Sequence, residues 1–431
     1  MIRFILSDLR RLWAGSLTVC LLVALSTALV MTVTLQERAL RLGSARAADK
    51  FDLVIGAAGS ETQLVLSSVF LQPAPLPLAS GKVLADLLAD PRVAWAAPVA
   101  FGDSFAGYPV VGTTRVLIEN TTPGFAEGLM FSHEGEAVVG SGVKLKLGDE
   151  VKPMHGTADE GGHTHTELAY KVTGKLKATG TAWDRAILVP VQAVWHIHGL
   201  EEHEHEEADA HHDDAQRDAP QAAGTVVAAR DETGHEHGSI DADAPIDDDF
   251  SANAPGLPAI LVKPRSVGDA YKLRQDYRKG DTVGVFPGEV LTQLYSTLGD
   301  AKLVLSAVAI GAQILVACAL LMVTVIHIGQ RRRQIGALRA FGAPRLSVSL
   351  IVWAELMLVI AAGIAVGTGL GFLAARWISG TIATKNGFAL PVEFARQDLW
   401  QIGGMVVFAA VLSALPALLA YRQSPAQALR A

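Results

Sequence analysis

The chain has 431 residues, of which 50% are hydrophobic and 18% are charged, a composition typical of a membrane protein with more than one domain. Its formal net charge of −7 is concentrated in one segment, because residues 201–249 hold 17 acidic side chains and only two arginines. The absence of a basic patch with interleaved aromatic residues argues against nucleic-acid binding, and the placement of both cysteines in apolar runs excludes a disulfide framework.

Two consecutive segments at the N-terminus are predicted to bind the membrane. Residues 1–13 carry apolar side chains at helical spacing, with Arg10 and Arg11 on the other side, which is typical of a helix lying in the membrane interface. Residues 14–35 are uncharged and are predicted to form transmembrane helix 1. This run is too long for the apolar part of a cleaved signal peptide, so it is interpreted as a permanent anchor.

Three further apolar runs lie near the other end of the chain, at 303–327, 346–375 and 400–421. Each exceeds the roughly 20 residues that a helix needs to cross the hydrocarbon core, and they are predicted to be transmembrane helices 2, 3 and 4. The predicted fold class is therefore membrane α-helical, with four transmembrane helices and a large mixed α/β extracytoplasmic domain between the first and the second.

The distribution of arginine predicts the orientation. Basic residues cluster before the first run, between the second and third, and after the fourth, which places both termini in the cytoplasm. The segments 328–345 and 422–431 are then cytoplasmic, whereas 36–302 and the short loop 376–399 lie outside. The chain is predicted to be a multi-pass protein of the bacterial inner membrane with a periplasmic domain.

Residues 36–302 are predicted to alternate short strands with amphipathic helices, separated by Gly- and Pro-rich turns. The predicted strands are 115–118, 137–139, 171–172, 186–189 and 260–262, and the predicted helices are 80–89 and 266–278. The flanks at 36–50 and 289–302 are expected to continue the first two transmembrane helices outward as a stalk.

Histidine is concentrated in this domain, with 11 of the 13 histidines between residues 155 and 237. Closely spaced histidines can place two imidazoles on one metal ion, because alternate residues of an extended chain face the same side. The metal-ligand candidates are His163, His165, His196, His198, His203, His205, His211, His212, His235 and His237. Zn²⁺ is the expected ion, with nickel and copper as alternatives, and neighbouring carboxylates could complete tetrahedral sites.

The histidine- and acid-rich segment 199–250 has almost no aromatic residues and is predicted to be disordered. Three interpretations stay open: a solvated insertion without a metal, a loop that collects or senses metal, and an ordered catalytic zinc site. Catalysis is the weakest of the three, because the sequence contains no His-Glu-x-x-His motif.

The cytoplasmic segment 330–345 reads Gln-Arg-Arg-Arg-Gln-Ile-Gly-Ala-Leu-Arg-Ala-Phe-Gly-Ala-Pro-Arg and predicts a short helix that ends at Gly342. Topology alone would account for a positively charged loop here. The segment nevertheless resembles the loop of FtsX/MacB-type ABC permeases, the mechanotransmission type (type VII), in which basic residues precede an Ile-Gly-x-Leu-Arg-Ala-x-Gly core. Residues 51–60, 63–68, 180–190 and 416–430 also resemble this family.

The resemblance implies that the loop docks on a separate cytoplasmic ATPase, of MacB/LolD-like type, and relays motion driven by nucleotide. The residues expected to carry this coupling are Arg332, Arg333, Ile335, Gly336, Leu338, Arg339 and Gly342. The family's external domain is a mixed α/β module. A homodimer of permeases is also implied, and a periplasmic binding protein or a lipoprotein is a further candidate partner.

The chain itself is not expected to be an enzyme. A Walker A motif requires Gly-Lys followed by Ser or Thr, whereas the Gly-Lys pairs here precede Val83 and Leu176. ATP is therefore expected in the partner subunit, and no cofactor is expected in this chain apart from Zn²⁺ at the histidines.

Two features inside the predicted transmembrane helices stand out. Glu355 is an ionisable residue in the third helix and is a functional candidate, with pairing to the arginine-rich loop near the cytoplasmic surface as the alternative. Gly363, Gly367 and Gly371 recur at four-residue spacing, which permits close approach of another helix.

The leading functional hypothesis is a permease that couples an ATPase to movement of its periplasmic domain, in a process linked to zinc or another divalent metal. One alternative is a permease that exports or releases lipoproteins or peptides without a metal. Another is a transmembrane activator of a periplasmic hydrolase that transports nothing. Direct metal import is weaker, because the apolar runs lack the ligands of an ion path.

Overall fold

The computed structural model describes residues 10, 13–72, 74–155, 169–198, 241–330 and 344–422. The chain divides into two compact units, one formed by residues 47–290 and the other by the segments before and after them. The helix predicted over residues 1–13 lies almost entirely outside the described residues.

The two units differ in the length of their helices. In chain order they are α1 Trp13–Ala48, α2 Glu61–Ser68, α3 Gly81–Ala89, α4 Arg115–Thr121, α5 Val191–Ile197, α6 Val267–Asp276, α7 Pro287–Gln330, α8 Arg345–Asn386 and α9 Arg396–Arg422. The short helices α2 to α6 belong to the unit 47–290. The four long helices make up most of the described part of the other unit, and α1 and α7 both extend past the apolar runs in the direction predicted for the stalk.

Three of the long helices are apolar enough over a sufficient length to cross a membrane: Trp13–Ala48, Leu346–Asn386 and Arg396–Leu415. The apolar run predicted as the second transmembrane helix lies within α7, where a shorter apolar stretch covers Ser306–Leu315. Membrane-spanning helices are therefore present, and the count of four stays a prediction.

The unit 47–290 is built on a mixed sheet. The strands are β1 Leu53–Ala57, β2 Val93–Phe105, β3 Tyr108–Thr113, β4 Phe125–Gly128, β5 Glu136–Val139, β6 Glu150–Val151, β7 Met154–His155, β8 Tyr170–Leu176, β9 Ile187–Pro190, β10 Ala259–Pro264 and β11 Thr282–Val285. Their order is β11-β1-β10-β2-β3-β9-β5-β8-β4, with β6 beside β8 and β7 beside β2.

The long strand β2 joins the two halves of this sheet. Its first part, Val93–Val99, pairs antiparallel with β10, and its second part, Ala100–Phe105, pairs antiparallel with β3. A bulge between Phe101 and Asp103 interrupts the second ladder. Among the pairs in the described residues, β3 with β9 and β5 with β8 are parallel.

The burial of each strand follows its place in the sheet. Every residue of β9 is buried, as expected for a central strand that is covered on both faces. In β8, by contrast, buried positions alternate with more exposed ones from Tyr170 to Leu176, because successive side chains point to opposite faces. The core includes Leu53, Ile55, Ile187 and Ile260.

Serine caps explain where three helices of this unit begin. Ser60, Ser80 and Ser266 each accept a hydrogen bond from a backbone N–H of the first turn of α2, α3 and α6. Such caps satisfy donors that have no partner within the helix. The helices predicted at 80–89 and 266–278 coincide with α3 and α6. Four of the five predicted strands overlap β5, β8, β9 and β10, although β8 and β10 are longer than predicted.

The prediction of a strand at 115–118 is wrong, because these residues open α4. Leu117 and Ile118 are buried as neighbours, whereas a strand would place them on opposite faces. The side chains of Asn120 and Thr121 donate to backbone carbonyls four residues earlier, at Val116 and Leu117.

Residues 241–250 depart from the disorder predicted for 199–250. The backbone N–H groups of Glu134 and Gly135 donate to the carbonyl oxygens of Ala244 and Ala242, at 3.1 and 3.0 Å. Further along, Phe250 packs edge-on against Trp195, with ring centroids 5.9 Å apart. The end of the predicted segment is therefore bound to the sheet unit, and residues 199–240 lie outside the described residues.

Candidate functional site

The seven residues predicted to couple to an ATPase lie outside the described residues. The structure describes the helices on either side of this segment: α7 ends at Gln330 and α8 begins at Arg345. The segment therefore connects two long helices, as a coupling loop requires.

The glycines of α8 lie against α1. A Cβ atom on Gly367 would stand 2.4 Å from the carbonyl oxygen of Ala24, and one on Gly371 would stand 2.7 Å from Cβ of Met31. A Cβ atom on Gly363 would meet Val23 at 2.8 Å. These contacts advance together along both helices, so α1 and α8 run parallel with their backbones in close approach.

Polar contacts continue this packing beyond the glycines. Ser379 of α8 donates to the side-chain oxygen of Gln36 at 3.1 Å. Arg38 of α1 forms two hydrogen bonds with Asp398 of α9, and Asp398 also accepts the backbone N–H of Ala395 at 2.7 Å. Three helices are thus joined at one level.

Glu355 lies on α8 and is half-buried. Close to it, Trp353 donates its indole N–H to the carbonyl oxygen of Ala410 at 3.0 Å, and the Ser349 hydroxyl donates to Ala417 at 2.9 Å. These bonds hold the first part of α8 against the last part of α9. Both interpretations of Glu355 stay predictions.

A cleft of about 410 Å³ lies between α1, α7 and α9. Its lining is mostly apolar, with polar groups at Thr34, Ser306, Gln313 and Gln401. Gln313 also borders a smaller cavity of about 70 Å³ that is lined by residues of α1, α7, α8 and α9. Such a cleft suits an apolar chain that carries a few hydrogen-bonding groups.

Of the ten histidines predicted as metal ligands, the structure places two. His163, His165, His203, His205, His211, His212, His235 and His237 lie outside the described residues. His196 and His198 lie at the end of α5, where His198 is the C-terminal cap residue.

These two histidines contact two buried carboxylates. Nδ1 of His196 lies 2.8 Å from Oε2 of Glu134, and Nε2 of His198 lies 3.6 Å from Oδ2 of Asp103. Asp103 sits in β2 at the bulge, and Glu134 lies two residues before β5. The structure thus shows two separate pairs, His196 with Glu134 and His198 with Asp103.

Tyr170, the first residue of β8, is fully buried. Burial raises the pKa of the Tyr170 hydroxyl well above its ordinary value, and the carboxylates of Asp103 and Glu134 raise it further. Asp103, Glu134 and Tyr170 were not predicted as site residues. The two carboxylates lie far from the histidine pairs along the chain, whereas Tyr170 follows His165 by five residues. Within the described part of the chain, no three or more His, Cys, Asp or Glu side chains are already arranged to hold a metal ion.

Comparisons with known proteins bear on the helical unit. Residues 306–426 match the family described as the FtsX-like permease C-terminal domain. No curated protein matches the chain.

Solved structures similar to this chain include two external domains of transporters. The periplasmic region of MacB from Actinobacillus actinomycetemcomitans is 8% identical, with a TM-score of 0.32, and the match covers 59% of this chain and 98% of that one. The extracellular domain of the noncanonic ABC-type transporter YknZ from Gram-positive bacteria is 10% identical, with a TM-score of 0.28, over 54% and 98%. The family match spans much of α7 and all of α8 and α9, and it confirms the predicted resemblance to FtsX-like permeases over this part of the chain.

Proposed function

We propose that this chain is the membrane subunit of an ABC transporter that couples a separate ATPase to movement of the unit 47–290. The FtsX-like domain supports this proposal, because that family supplies the membrane component of such transporters. The sequence has no Gly-Lys-Ser or Gly-Lys-Thr triplet with which to bind ATP itself. Hydrolysis is thus assigned to a cytoplasmic MacB/LolD-like partner.

The observation that carries the proposal concerns the two chain connections between the units. The boundaries at residues 46–47 and 290–291 fall in the last turn of α1, which ends at Ala48, and in the first turn of α7, which begins at Pro287. An α-helix rises 1.5 Å per residue with every backbone group bonded to the next turn, so it passes on a displacement that a flexible linker would absorb.

A contact between α1 and α7 adds to this argument. The hydroxyl groups of Ser44 and Tyr295 lie 2.5 Å apart, and the Tyr295 hydroxyl also lies 3.3 Å from the carbonyl oxygen of Leu40. Both residues lie in the helical unit, beyond the apolar runs. A shift of α7 in the membrane would therefore act on α1 at this level as well.

The remaining parts of the proposal concern assembly and orientation. The arginine-rich segment 331–343 contacts the ATPase, both termini are cytoplasmic, and the unit 47–290 is periplasmic. Two copies of the chain pair in the inner membrane. The zinc link is part of the proposal too, and it rests on the histidine content of residues 155–237.

The mechanical proposal can be tested with flexible insertions. Gly-Ser-Gly-Ser is placed after Arg46 in α1 and after Val290 in α7, in the complex with its ATPase in lipid nanodiscs. Hydrogen–deuterium exchange of residues 47–290 is then compared with ATP plus vanadate and without nucleotide. The wild-type complex should show nucleotide-dependent exchange, and the insertions should abolish it while ATP hydrolysis continues.

The matched control inserts the same four residues after Gly280, which has a positive φ of 73° and open space around it in the turn before β11. This variant should respond to nucleotide like the wild type. An undiminished response in the helix-insertion variant would contradict transmission through α1 and α7.

A second candidate function, export or release of a lipoprotein or hydrophobic peptide, is favoured by the apolar cleft between α1, α7 and α9. It differs from the activation of a periplasmic hydrolase, which needs no binding site among the helices. Replacing Gly404 in the cleft with Trp should block such a cargo and leave an activator unaffected. Crosslinking of a photoreactive lipopeptide to the wild type and to this variant separates the two.

A further inference from the structure

Exposed aromatic side chains stand near the ends of the long helices. Trp400 near the start of α9 is 79% exposed, and Tyr421 near its end is 40% exposed. The helical rise places these two residues about 32 Å apart, close to the roughly 30 Å of the hydrocarbon core of a bilayer. Trp13 at the start of α1 and Trp377 in the last turns of α8 are exposed as well. Trp and Tyr are enriched at the two interfaces of a membrane with water, so these four residues mark its boundaries.

Contacts between the helices show which of the aromatic residues share a boundary. Trp377 lies two residues before Ser379, whose hydroxyl binds α1. Trp400 lies two residues after Asp398, which binds Arg38 of the same helix. Both tryptophans therefore lie at the level at which polar contacts join α1, α8 and α9. We call this level the Trp400 boundary of the bilayer.

The cleft between α1, α7 and α9 starts at the Trp400 boundary. Gln401 lines it directly after that tryptophan, and Thr34 lines it from α1, one turn before Arg38. Phe408 also lines the cleft and is 57% exposed, so the cleft opens on the surface of the helices that faces lipid. The molecules that adjoin this opening are therefore the lipids of the membrane.

The cleft and the smaller cavity together reach about the middle of the bilayer. Gln313, Met405 and Phe408 line both of them, so the two spaces adjoin each other. Along α9 the lining continues from Gln401 in the cleft to Leu412 in the cavity, a helical rise of about 17 Å. Half of a hydrocarbon core of roughly 30 Å is about 15 Å, so the combined space matches the depth of one leaflet.

Three polar side chains line the same end of the cleft: Thr34, Ser306 and Gln401. Thr34 lies ten residues before Ser44 in α1, and Ser306 lies eleven residues after Tyr295 in α7. Because α1 and α7 run antiparallel from the contact of Ser44 with Tyr295, Thr34 and Ser306 reach nearly the same level. The hydroxyl and amide groups at this end can donate to the ester oxygens of a glycerolipid.

The rest of the lining favours an acyl chain over a peptide. Beyond the polar end the cleft is apolar apart from Gln313, and the adjoining cavity adds the hydroxyls of Ser26 and Thr27. Among the described residues, no charged side chain lines either space. A peptide in hydrocarbon needs a partner for each backbone N–H and C=O group, because an unpaired polar group costs several kcal/mol there. An acyl chain has no such groups.

We propose that the cleft between α1, α7 and α9 binds one acyl chain of a membrane phospholipid, with the ester groups of the lipid at Thr34, Ser306 and Gln401. The phospholipid comes from the leaflet that meets the Trp400 boundary. Its chain holds α7 away from α1 and α9, so α7 closes on these helices only when the chain leaves. Binding of the lipid needs no ATPase, and the site therefore stands apart from the proposed transport function.

The test uses the full-length chain without its ATPase, in nanodiscs that contain phosphatidylethanolamine with a photoreactive diazirine on one acyl chain. One probe carries the diazirine beside the ester group, and a second carries it at the end of the chain. Mass spectrometry identifies the crosslinked residues. We expect the first probe to label Thr34 and Gln401 and the second to label Met405 and Leu412. Leu373 of α8, which is 62% exposed and lies outside the cleft, reports ordinary contact with lipid.

Gly404→Trp fills the cleft, because Gly404 lines it and nothing lies within 4 Å of its Cβ position. Gly403→Trp is the matched control, since the Cβ position of Gly403 is equally open but this residue does not line the cleft. The labelling of Met405, relative to that of Leu373, should be lost in Gly404→Trp. It should be unchanged in Gly403→Trp.

Absence of labelling from the cleft of the wild-type chain would overturn the proposal, whether or not the variants fold. Equal labelling of Met405 in the two Trp variants would overturn it as well. Crosslinks of the cleft to a second copy of the chain, in place of lipid, would contradict it and assign the cleft to a dimer interface.

Labelling of the cleft by a photoreactive lipopeptide but not by phosphatidylethanolamine would also overturn the lipid site, and it would keep the cleft for the cargo of the second candidate function. These results are independent of the nucleotide-dependent exchange of residues 47–290. Failure of the lipid site therefore leaves the proposed coupling to an ATPase intact, and failure of the coupling leaves the lipid site intact.

Discussion

Arg38 and Asp398 form a bidentate ion pair, with Nη1 2.6 Å from Oδ2 and Nη2 2.7 Å from Oδ1. The aspartate side chain is 1% exposed and the arginine side chain 14%. The pair joins α1 to α9 across 360 residues of sequence. Two parallel hydrogen bonds between a guanidinium and a carboxylate fix orientation as well as distance.

Asp398→Asn should destabilise the helical unit by about 3 kcal/mol, because it leaves the largely buried guanidinium without its counter-charge. The measurement is thermal unfolding of the detergent-solubilised chain. Asp86→Asn is the control, since its ion pair with Lys82 is exposed and should contribute at most about 0.5 kcal/mol. Equal effects of the two substitutions would show that burial of the Arg38–Asp398 pair is not what makes it stabilising.

Gly367→Ala should destabilise the packing of α8 on α1 by about 1–3 kcal/mol, because the new Cβ meets a backbone carbonyl oxygen at 2.4 Å. Gly369→Ala, two residues away, should change stability little, since nothing lies within 4 Å of its Cβ position. Thermal unfolding of both variants is the measurement. A larger loss of stability for Gly369→Ala than for Gly367→Ala would contradict the assignment of Gly367 to the face of α8 that packs on α1.

Acid should remove part of the stability that Arg92 gives the sheet unit. Its guanidinium binds Asp90, and this hydrogen bonding lowers the pKa of Asp90 despite the opposing effect of burial. A carboxyl with a lower pKa in the folded state stabilises the fold above its unfolded pKa of about 3.9. That contribution is lost as the pH falls through the folded pKa.

Asp90→Asn should therefore cost about 1 kcal/mol at pH 7 and progressively less below about pH 4. Urea unfolding followed by circular dichroism at pH 7, 5 and 3.5 measures the difference. A stability deficit that widens on acidification would have the wrong sign. Asp276→Asn, at the more exposed partner of Arg92, should show a smaller deficit at pH 7.

Leu338→Asp should uncouple the ATPase, because it replaces an apolar side chain with a charge in the segment proposed to dock on that subunit. Co-purification of the ATPase and ATP turnover in nanodiscs are measured together. Leu129→Asp is the control, since this leucine of the sheet unit is 76% exposed. Normal turnover in Leu338→Asp would rule out the docking role.

Replacing residues 199–240 with a Gly/Ser segment of equal length should leave assembly intact and remove most of the bound zinc. The replacement spares residues 241–250, whose backbone is bonded to Glu134 and Gly135. Zinc per chain is measured by mass spectrometry after equilibrium dialysis, with size-exclusion chromatography as the test of assembly. An unchanged zinc content would contradict a metal-collecting loop.

Local pattern predicted the long helices, the short helices at 80–89 and 266–278 and most of the strands, because these depend on residues close together in sequence. It failed at α4, where the run Val116–Ile118 is too short to distinguish a helix from a strand. The contacts of Asp103 and Glu134 with the end of α5 depend on how distant strands pair. Neither carboxylate stands near a histidine pair in the sequence, so no local signal marked it.

The contacts along α1 also determine which helices can slide. A shift of α1 by one turn along α8, about 5.4 Å, would separate Arg38 from Asp398 and Gln36 from Ser379, and it would carry side chains out of their places over the three glycines. These contacts therefore hold α1, α8 and α9 in one register, because a shift would break all of them at once. Helix α7 borders a cleft of about 410 Å³ on its side facing α1 and α9, and so has free volume into which to move.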